Sequence, residues 1–447
     1  MPGGGSHHSR PSLPGGPYVV LGLARSGQAA ARALRARGET VIGVDAGAPA
    51  GARELAGIGV EVHLNEGGAE LAQRARTLVE SPGVPHDAPL ARAARERGLD
   101  IMGELELGWR LLEAPLVAVT GTNGKTTTAE LVGEIWRHQG LPVAVAGNVG
   151  TPLSSLVGEL DTGATVVCEA SSFQLEDTVE LAPDVAVLVN IAEDHLDRHG
   201  TMASYTAAKR KAFVRQGSAD VAVVPAGAVG EGLGGSAARV RFGPGGESDC
   251  FERSGQLWWR ATPLLAVEQI AMRGPHNRLN AMAAAAAALA SGIELDAVRA
   301  ALRGFRGVPH RLEEVAVVGG VLYVNDSKAT NAASTVVALR SFEPGSVQLI
   351  AGGRAKSGYG ILREVVGQRC RGVFLIGEAT EALADALAGS GVELHRCGGM
   401  GEAVRSAHRA ARSGDVVLLS PACASYDQYV DFEQRGDHFR ALVGALD

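Results

Sequence analysis

The hydrophobic positions of the chain repeat one arrangement three times: a short apolar run, a turn that contains glycine, and a segment rich in alanine and leucine. The three series begin at Tyr18, at Leu116 and near Val321. A short apolar run bounded by turn residues is typical of a buried parallel strand, and the segment after it predicts a helix. The chain is therefore expected to be an α/β protein built from βαβ units.

The first series has a well-defined predicted order. Residues 19–21 predict a strand, 22–27 a turn, 28–37 a helix and 40–44 a second strand that ends at Asp45. This order is similar to a dinucleotide-binding fingerprint, but Ala24 replaces its middle glycine. A degenerate glycine motif by itself does not decide whether this turn binds a nucleotide.

The second series contains the densest chemistry. The strand predicted over 116–119 is followed by residues 120–127 (TGTNGKTT) and then by a helical pattern. Backbone N–H groups of such a turn converge on phosphate oxygens, Lys125 can neutralise them, and the Thr126 hydroxyl can bind Mg²⁺. Val119 stands where the common phosphate loop has its first glycine, yet strand, loop and helix follow in the required order. The segment predicts a phosphate-binding loop.

Polar residues follow two further predicted strands, over 165–168 and 185–189. Glu169 follows the first of these strands, and Asn190, Asp194 and His195 follow the second. Alone, each is more often a surface charge or a satisfied hydrogen-bonding group. Ligands of open α/β sheets collect at the carboxyl ends of the strands, so the shared position favours a Mg²⁺ site. The last series predicts another open sheet, with strands over 321–324, 347–350, 372–376 and 416–419.

Length, charge and cysteine content narrow the class of protein. The chain has 447 residues, which exceeds one domain of about 150 residues, so three domains are expected. Its net charge of −7 supplies no basic field for nucleic acid. The five cysteines show no disulfide or zinc spacing, which predicts a cytoplasmic protein. Residues 1–17 predict a disordered tail, and no apolar run is long enough for a membrane helix.

Several motifs in order along the chain resemble the Mur ligase superfamily. They are residues 120–127 (TGTNGKTT), 147–148 (GN), 169–176 (EASSFQLE), 190–197 (NIAEDHLD) and 207–209 (AAK). Four further motifs resemble one type within the superfamily, the ligase that joins D-glutamate to UDP-N-acetylmuramoyl-L-alanine. They are residues 309–311 (PHR), 325–331 (NDSKATN), 352–353 (GG) with Lys356, and 420–425 (SPACAS). The resemblance spans nearly the whole chain.

The resemblance implies an ATP-dependent ligase of the cytoplasm that forms an acyl-phosphate during peptidoglycan precursor synthesis. It implies three domains: a Rossmann-like UDP-substrate domain over 18–103, a P-loop ATPase-like domain with a mostly parallel sheet over 104–307, and a Rossmann-like domain over 308–447. The expected partners are UDP-N-acetylmuramoyl-L-alanine, D-glutamate and ATP. Neither nucleic acid nor a membrane is expected as a partner, and the chain is expected to be a monomer.

The resemblance also assigns residues to ATP and to two Mg²⁺ ions. The residues assigned to ATP are Gly121, Thr122, Asn123, Gly124, Lys125, Thr126, Thr127, Asn277, Asn280, Arg311, Asp326 and Lys328. Thr126 and Glu169 would hold one Mg²⁺, and His195 with a carbamylated Lys209 would hold the second. Lys125, His195 and Lys209 are the expected catalytic residues. A surface lysine on a helix over 204–213 is the alternative for Lys209.

Two further sets of residues are implied for the substrates. The UDP-substrate set is Leu23, Ala24, Arg25, Ser26, Asp45, Ser81, Pro82, Gly83, Asn148, Ser171 and His195, and the D-glutamate set is Thr330, Lys356, Ser425 and the backbone at Phe432. Ala46 and Gly47 depart from the family pattern, in which a hydroxyl residue and an arginine often follow the aspartate. Thr330 and Ser425 could equally be helix caps.

Two other functions stay open at this point. A sibling ligase would add another residue, such as L-glutamate or a diamino acid, or would extend folate with glutamate. A nucleotide-binding regulator would use ATP as a switch and make no product. Such a switch needs no amino-acid site, so the presence of Glu169, His195, Lys209 and the Lys356 set favours an enzyme.

Overall fold

The chain contains three α/β sheets. The computed structural model describes residues 9–245, 247–272, 274–355 and 358–446, apart from the side chains of Asp197 and Ala228. It divides into two compact units, one ending at Phe305 and the other beginning at Arg306. The α/β class expected from the sequence is confirmed. No helix in the described ranges combines the length and the apolar character needed to cross a membrane.

The first sheet has five parallel strands in the order β3-β2-β1-β4-β5. Its elements are β1 (Tyr18–Leu21), α1 (Arg25–Ala36), β2 (Val41–Asp45), β3 (Glu61–Leu64), β4 (Thr77–Glu80), α2 (Pro89–Glu96) and β5 (Asp100–Gly103). Helix α1 begins at Arg25, earlier than the predicted 28. Its first turn packs directly on the preceding turn, because a Cβ at Gly27 would lie 1.7 Å from the Gly22 carbonyl oxygen.

The second sheet has nine strands in the order β14-β13-β12-β11-β10-β9-β6-β8-β7, parallel except for β12-β13 and β13-β14. Its helices are α3 (Glu104–Leu111), α4 (Lys125–His138), α5 (Ser172–Glu176), α6 (Leu196–His199), α7 (Met202–Arg210), α8 (Pro275–Ala290) and α9 (Leu295–Gly304). Its strands are β6 (Leu116–Thr120), β7 (Val143–Gly147), β8 (Thr165–Glu169), β9 (Val185–Leu188), β10 (Val221–Pro225), β11 (Ala238–Pro244), β12 (Cys250–Arg253), β13 (Gln256–Trp259) and β14 (Thr262–Ala266). The alanine-rich helix α8 is buried and shares one core with α4 and α9.

The third sheet belongs to the second unit and has the strand order β15-β16-β20-β17-β18-β19. Its strands are β15 (Glu313–Val318), β16 (Val321–Asn325), β17 (Val347–Gly352), β18 (Cys370–Ile376), β19 (Glu393–Gly398) and β20 (Val416–Leu419). Its helices are α10 (Ala332–Arg340), α11 (Leu362–Arg369), α12 (Thr380–Leu387), α13 (Met400–Ala410) and α14 (Phe432–Val443). Strand β15 pairs antiparallel with β16, and the other pairings are parallel.

Two buried carboxylates of α3 anchor the first sheet to the second. Glu104 accepts a hydrogen bond from the Ser154 N–H at 2.7 Å. The Glu106 carboxylate accepts three backbone N–H bonds, each at 3.1 Å, from residues 179–181. It also pairs with Arg110 at 2.7 Å. Because β5 runs directly into α3, these bonds fix the edge of the first sheet against the second.

Part of the segment 1–17, for which the sequence predicts a disordered tail, makes contacts with the second sheet. The Arg10 guanidinium donates to the carbonyl oxygens of Leu112 at 3.2 Å and Ala114 at 2.8 Å, and it stacks 4.6 Å from the Trp109 ring centroid. These partners come from the second half of α3 and the turn after it, which the local sequence of the tail cannot reveal. Residues 1–8 of the expected tail lie outside the described ranges.

The anchoring role of Glu106 gives a testable expectation. Glu106→Ala would leave three buried N–H groups and Arg110 without their acceptor, so the free energy of unfolding should fall by about 3 kcal/mol. Urea unfolding followed by circular dichroism measures it. The control is Glu134→Ala, which removes a partly exposed pair with Arg137 and should cost less than about 1 kcal/mol. Equal losses in the two variants would contradict the anchoring role.

Candidate functional site

The predicted phosphate loop joins β6 to α4 and is held from the side by Asn190. The Thr122 N–H donates to the Asn190 carbonyl oxygen at 3.1 Å. The Asn190 side chain accepts from the Asn123 N–H and donates to the Asn123 carbonyl oxygen, both at 2.9 Å. Gly124 has φ +81° and precedes the first turn of α4. The loop therefore presents a helix N-terminus at the carboxyl edge of the sheet, which is an arrangement that suits a phosphate group.

Two side chains close around this loop. The Lys125 ammonium donates to the carbonyl oxygens of Gly121 at 3.1 Å and Thr122 at 2.9 Å. Asn280, from α8, presents its side-chain oxygen to Gly124, where an added Cβ would lie 2.2 Å from it. Asn280 in turn donates to Asn277 at 3.2 Å. Three residues that the family resemblance assigns to ATP thus lie beside the phosphate loop: Lys125, Asn277 and Asn280.

Glu169 offers an oxygen that suits a cation. It ends β8 and is only 4% exposed. Its Oε1 accepts a hydrogen bond from Asn148 at 3.0 Å, whereas its buried Oε2 has no hydrogen-bond partner among the described residues. A buried carboxylate oxygen without a partner is costly unless a cation satisfies it, and Mg²⁺ prefers oxygen ligands. Glu169 therefore fits the expected Mg²⁺ site.

Lys209 is buried, so the alternative of a surface lysine is wrong. It lies on α7 at 2% exposure, and its ammonium donates to the Gly121 carbonyl oxygen at 2.7 Å. Burial, and then the positive charge of Lys125, lower the pKa of Lys209 to about 7. A large fraction of this amine is therefore unprotonated near neutral pH and can act as a nucleophile. Helix α7 ends at Arg210, before the predicted 213.

Tyr205 and Phe173 complete this part of the site, and the sequence analysis gave neither of them a role. The Tyr205 ring lies 4.5 Å from the Lys209 ammonium, and its hydroxyl is 3.0 Å from the Thr122 hydroxyl. His195 is half exposed, with its ring centroid 4.8 Å from Phe173 and 6.4 Å from Tyr205. The one available signal for Tyr205 was its spacing from Lys209, because residues four apart share a helix face.

A cleft of about 450 Å³ opens at the carboxyl edge of the first sheet. Seven of the residues assigned to the UDP substrate line it: Ala24, Arg25, Ser26, Asp45, Ser81, Pro82 and Gly83. Leu23 does not line the cleft, because its side chain is buried in the core, but its N–H donates to the Asp45 carboxylate at 2.6 Å. The other Asp45 oxygen accepts from the Gly47 N–H at 2.7 Å. Ala46 also lines the cleft, which leaves its floor apolar there.

Asn148 and Ser171, the remaining residues of that set, lie on the second sheet with His195. Asn148 holds Glu169, as described above. Ser171 caps α5 in a capping box with Gln174: its hydroxyl accepts from the Gln174 N–H at 3.2 Å, and the Gln174 side chain accepts from the Ser171 N–H at 3.0 Å. The cap fixes the start of the helix that carries Phe173.

Several of the residues assigned in the second unit, among them Asp326, Lys328 and Ser425, follow strands β16 and β20 at the carboxyl edge of the third sheet. Burial raises the pKa of Asp326 to about 7, opposed by the Ser420 hydroxyl at 2.7 Å and the charge of Arg311. Lys328 lies 5.9 Å from the Phe432 ring, and the Thr330 N–H donates to the Lys328 carbonyl oxygen. Ser425 is buried. Lys356 lies outside the described residues.

Arg435 organises this edge, and the sequence analysis did not identify it. Its fully buried guanidinium contacts Ser327 twice, through the hydroxyl at 3.0 Å and the carbonyl oxygen at 2.8 Å, and the Cys423 carbonyl oxygen at 3.1 Å. Burial lowers the pKa of Arg435 to about 10, so it stays a cation at neutral pH. It ties the loops after β16 and β20 together. A lone arginine in a helical segment carries no local signal for this role.

Three sheets with flanking helices, with the predicted phosphate loop and the buried Glu169 carboxylate at one edge of the second sheet, are typical of a nucleotide-binding α/β protein. Three family models match the chain: "Mur ligase MurD-like, N-terminal domain" over residues 17–103, "Mur ligase middle domain" over 119–288, and "Mur ligase, glutamate ligase domain" over 310–423.

Curated relatives match nearly the whole chain. The UDP-N-acetylmuramoylalanine–D-glutamate ligase of Pelotomaculum thermopropionicum is 40% identical, over 96% of this chain and 97% of its own. The enzyme of the same name from Geotalea uraniireducens is 41% identical over the same shares. Among solved structures, the UDP-N-acetylmuramate-alanine ligase MurC of Thermotoga maritima superposes with a TM-score of 0.57 at 21% identity, covering 96% of this chain and 99% of that one. This chain belongs to the Mur ligase family.

The close approach of Asn280 to Gly124 can be tested with a matched pair of glycines. Gly124→Ala would place a Cβ in a left-handed residue and against Asn280 Oδ1, and should weaken binding of a non-hydrolysable ATP analogue by about tenfold or more. Gly140 is also left-handed, at φ +75°, but has open space around it. Gly140→Ala should cost about 1–2 kcal/mol of stability and leave the affinity unchanged.

Titration calorimetry measures the affinities of the two variants, and thermal unfolding measures their stability. If both variants lost nucleotide affinity equally, crowding at Asn280 would not be the cause.

Proposed function

We propose that this chain joins D-glutamate to the L-alanine carboxylate of UDP-N-acetylmuramoyl-L-alanine, with ATP converted to ADP and phosphate. The observation that carries the proposal is the meeting of three features at one sheet edge: the phosphate loop, the Glu169 oxygen that has no partner among the described residues, and Lys209. A ligase of that name is 40% identical over 96% of this chain. A regulator would not need the additional cation ligands. The product is a precursor of peptidoglycan.

The residues of the loop would bind the ATP phosphates. Backbone N–H groups at the start of α4, over 124–127, and the Lys125 ammonium would face the negative charge, whereas the Thr122 and Asn123 N–H groups are bonded to Asn190. Thr126 and Glu169 would hold Mg²⁺. Bound Mg²⁺ would supply Lewis-acid stabilisation of the phosphate charge. The protein then contributes mainly orientation and fixed positive charge, as in other phosphoryl transfers.

The reaction proceeds in two displacements. The substrate carboxylate attacks the γ-phosphorus of ATP, the bond from that phosphorus to the bridging oxygen breaks, and ADP leaves. The amine of D-glutamate then attacks the acyl carbon, loses a proton, and phosphate departs. Lys125 remains on the transferred phosphoryl group throughout.

We further propose that Lys209 is carbamylated and that, with His195, it holds a second Mg²⁺. The ammonium first loses a proton. The neutral amine then attacks CO₂: a C–N bond forms, one C–O π bond opens onto its oxygen, and the nitrogen releases a second proton, which leaves a carbamate anion. The lowered pKa of Lys209, about 7, supports this step, because an amine must be unprotonated to attack. The resulting carbamate would supply the oxygen ligand that an ammonium cannot.

The two remaining substrates are assigned to the first and the third sheet. Residues 18–103 would bind the UDP-sugar at the cleft of the first sheet, and residues 308–447 would bind D-glutamate through Thr330, Lys356, Ser425 and the backbone at Phe432. Five free cysteines support a reducing compartment, and we place the reaction in the cytoplasm. The enzyme is proposed to act as a monomer.

Phosphate release from ATP tests the proposed reaction directly. With UDP-N-acetylmuramoyl-L-alanine present, release should require D-glutamate, and mass spectrometry should detect the D-glutamyl product. L-glutamate, a diamino acid and omission of the amino acid serve as controls. Release with another amino acid alone would favour a sibling ligase, and no release from folded protein would favour the regulator.

Carbamylation of Lys209 predicts a pH-dependent label. Protein equilibrated with ¹³C-bicarbonate should show a carbamate carbon signal by NMR that grows as the pH rises through about 7, since the neutral amine becomes abundant above that pKa. Lys209→Ala should lose the signal, and its activity should fall by at least about a hundredfold. Lys211→Ala is the control and should keep the signal, because Lys211 lies away from the loop and donates to the carbonyl oxygens of Glu176 and Thr178. An active Lys209→Ala enzyme would reject the proposal.

A further inference from the structure

Arg198 lies between the cleft of the first sheet and His195. It belongs to α6, the short helix that begins directly after His195, and its side chain is only 16% exposed. Its guanidinium donates to the carbonyl oxygens of Val84 at 3.1 Å and Pro82 at 3.5 Å, both in the wall of the cleft. One side chain of the second sheet therefore holds backbone of the first.

On the side away from the cleft, Arg198 contacts Phe173, and Phe173 contacts His195. The guanidinium lies 4.6 Å from the centroid of the Phe173 ring, and Phe173 lies 4.8 Å from the His195 ring. Nε of Arg198 pairs with Glu176 at 3.3 Å, which sets the orientation of the guanidinium plane. Phe173 and Glu176 are both on α5, so Arg198 connects one short helix to the cleft wall and to the imidazole.

Three possible metal ligands lie beside Arg198, but arginine side chains already contact two of them. Glu80, His86 and Asp177 offer ligand atoms within 4.8 Å of one another. Arg95 pairs with Glu80 at 3.2 Å, and the Arg198 guanidinium lies 3.3 Å from the His86 ring nitrogen. Two guanidinium groups already supply the positive charge that a divalent cation would bring. Among the described residues, arginine side chains therefore already balance the charge of this cluster.

We propose that Arg198 is a positioning residue that fixes the cleft wall for the UDP-sugar and the imidazole of His195 together. The inference rests on the proposed ligase function. Arginine suits the role because its planar group can donate to two carbonyl oxygens while one face covers an aromatic ring. Lysine offers a point charge, which can satisfy Glu176 but cannot keep the other contacts. Nucleotide-sugar binding and the geometry at His195 are thereby coupled.

The test compares Arg198→Ala and Arg198→Lys with Arg95→Gln. Arg95 contacts the same cluster from the first sheet, through Glu80 and the His86 carbonyl oxygen. Among the described residues, it makes no hydrogen bond to the Pro82 or Val84 carbonyl oxygens and does not stack on Phe173. The measurements are the Kd of UDP-N-acetylmuramoyl-L-alanine by calorimetry without ATP, the KM of each substrate, kcat, and the Mg²⁺ concentration for half-maximal activity.

Both Arg198 variants should raise the Kd and KM of the nucleotide-sugar by about tenfold and raise the Mg²⁺ requirement. Their KM for ATP, and all constants of Arg95→Gln, should change by less than about twofold. Full rescue by lysine would reduce the role to charge balance at Glu176 and would overturn the proposal. So would a lowered thermal stability with an unchanged nucleotide-sugar Kd.

The two proposals fail in different ways. If the wild-type enzyme made no D-glutamyl product, the proposed reaction would be wrong, while the calorimetric Kd would still report whether Arg198 shapes the cleft. If the wild type made product and Arg198→Lys bound the nucleotide-sugar normally, this inference alone would be wrong.

Discussion

The Glu106 carboxylate accepts hydrogen bonds from three backbone N–H groups, and the packing of the first sheet against the second within the first compact unit depends on this interaction. A buried carboxylate is tolerated when hydrogen bonds satisfy it, and here Arg110 supplies the balancing charge. The captured residues, 179–181, directly follow the segment that carries Glu176. The cleft wall of the first sheet and the loops of the second sheet are thereby held together.

Four buried charged side chains fall into two groups according to whether their hydrogen-bonding groups have partners. Glu106 and Arg435 have acceptors or donors on every side, and they hold the backbone. Glu169 keeps one buried oxygen without a partner among the described residues, and Lys209 is held with its pKa near 7. The second group is expensive in a folded protein unless a ligand or a chemical change satisfies it. Among these four residues, that contrast separates the candidate site from the structural framework, whereas Glu104 also has a buried oxygen without a partner among the described residues and lies away from the phosphate loop.

The sequence identified elements whose signals are local. The order of strand, loop and helix around 116–138 and the alternation of the third sheet follow from short patterns, because turn chemistry and apolar runs act over a few residues. The contacts of Arg10 and the role of Arg435 depend on partners distant in the sequence, and no local pattern contains them. The burial of Lys209 is of the same kind: a helical spacing places it with Tyr205, but only the packed sheet removes it from water.

Lys209 and Arg435 show why two buried cations take different roles. Arg435 keeps its charge, since a guanidinium has so high an intrinsic pKa that a shift to about 10 leaves it protonated, and its flat array of donors meets several carbonyl oxygens. Lys209 starts from a lower pKa, and among the described residues its ammonium donates one hydrogen bond, to the Gly121 carbonyl oxygen, near the positive charge of Lys125. The same desolvation therefore fixes one residue as a permanent tie between loops and leaves the other as an amine that can react. The chemistry of the site follows from the choice of cation at each buried position.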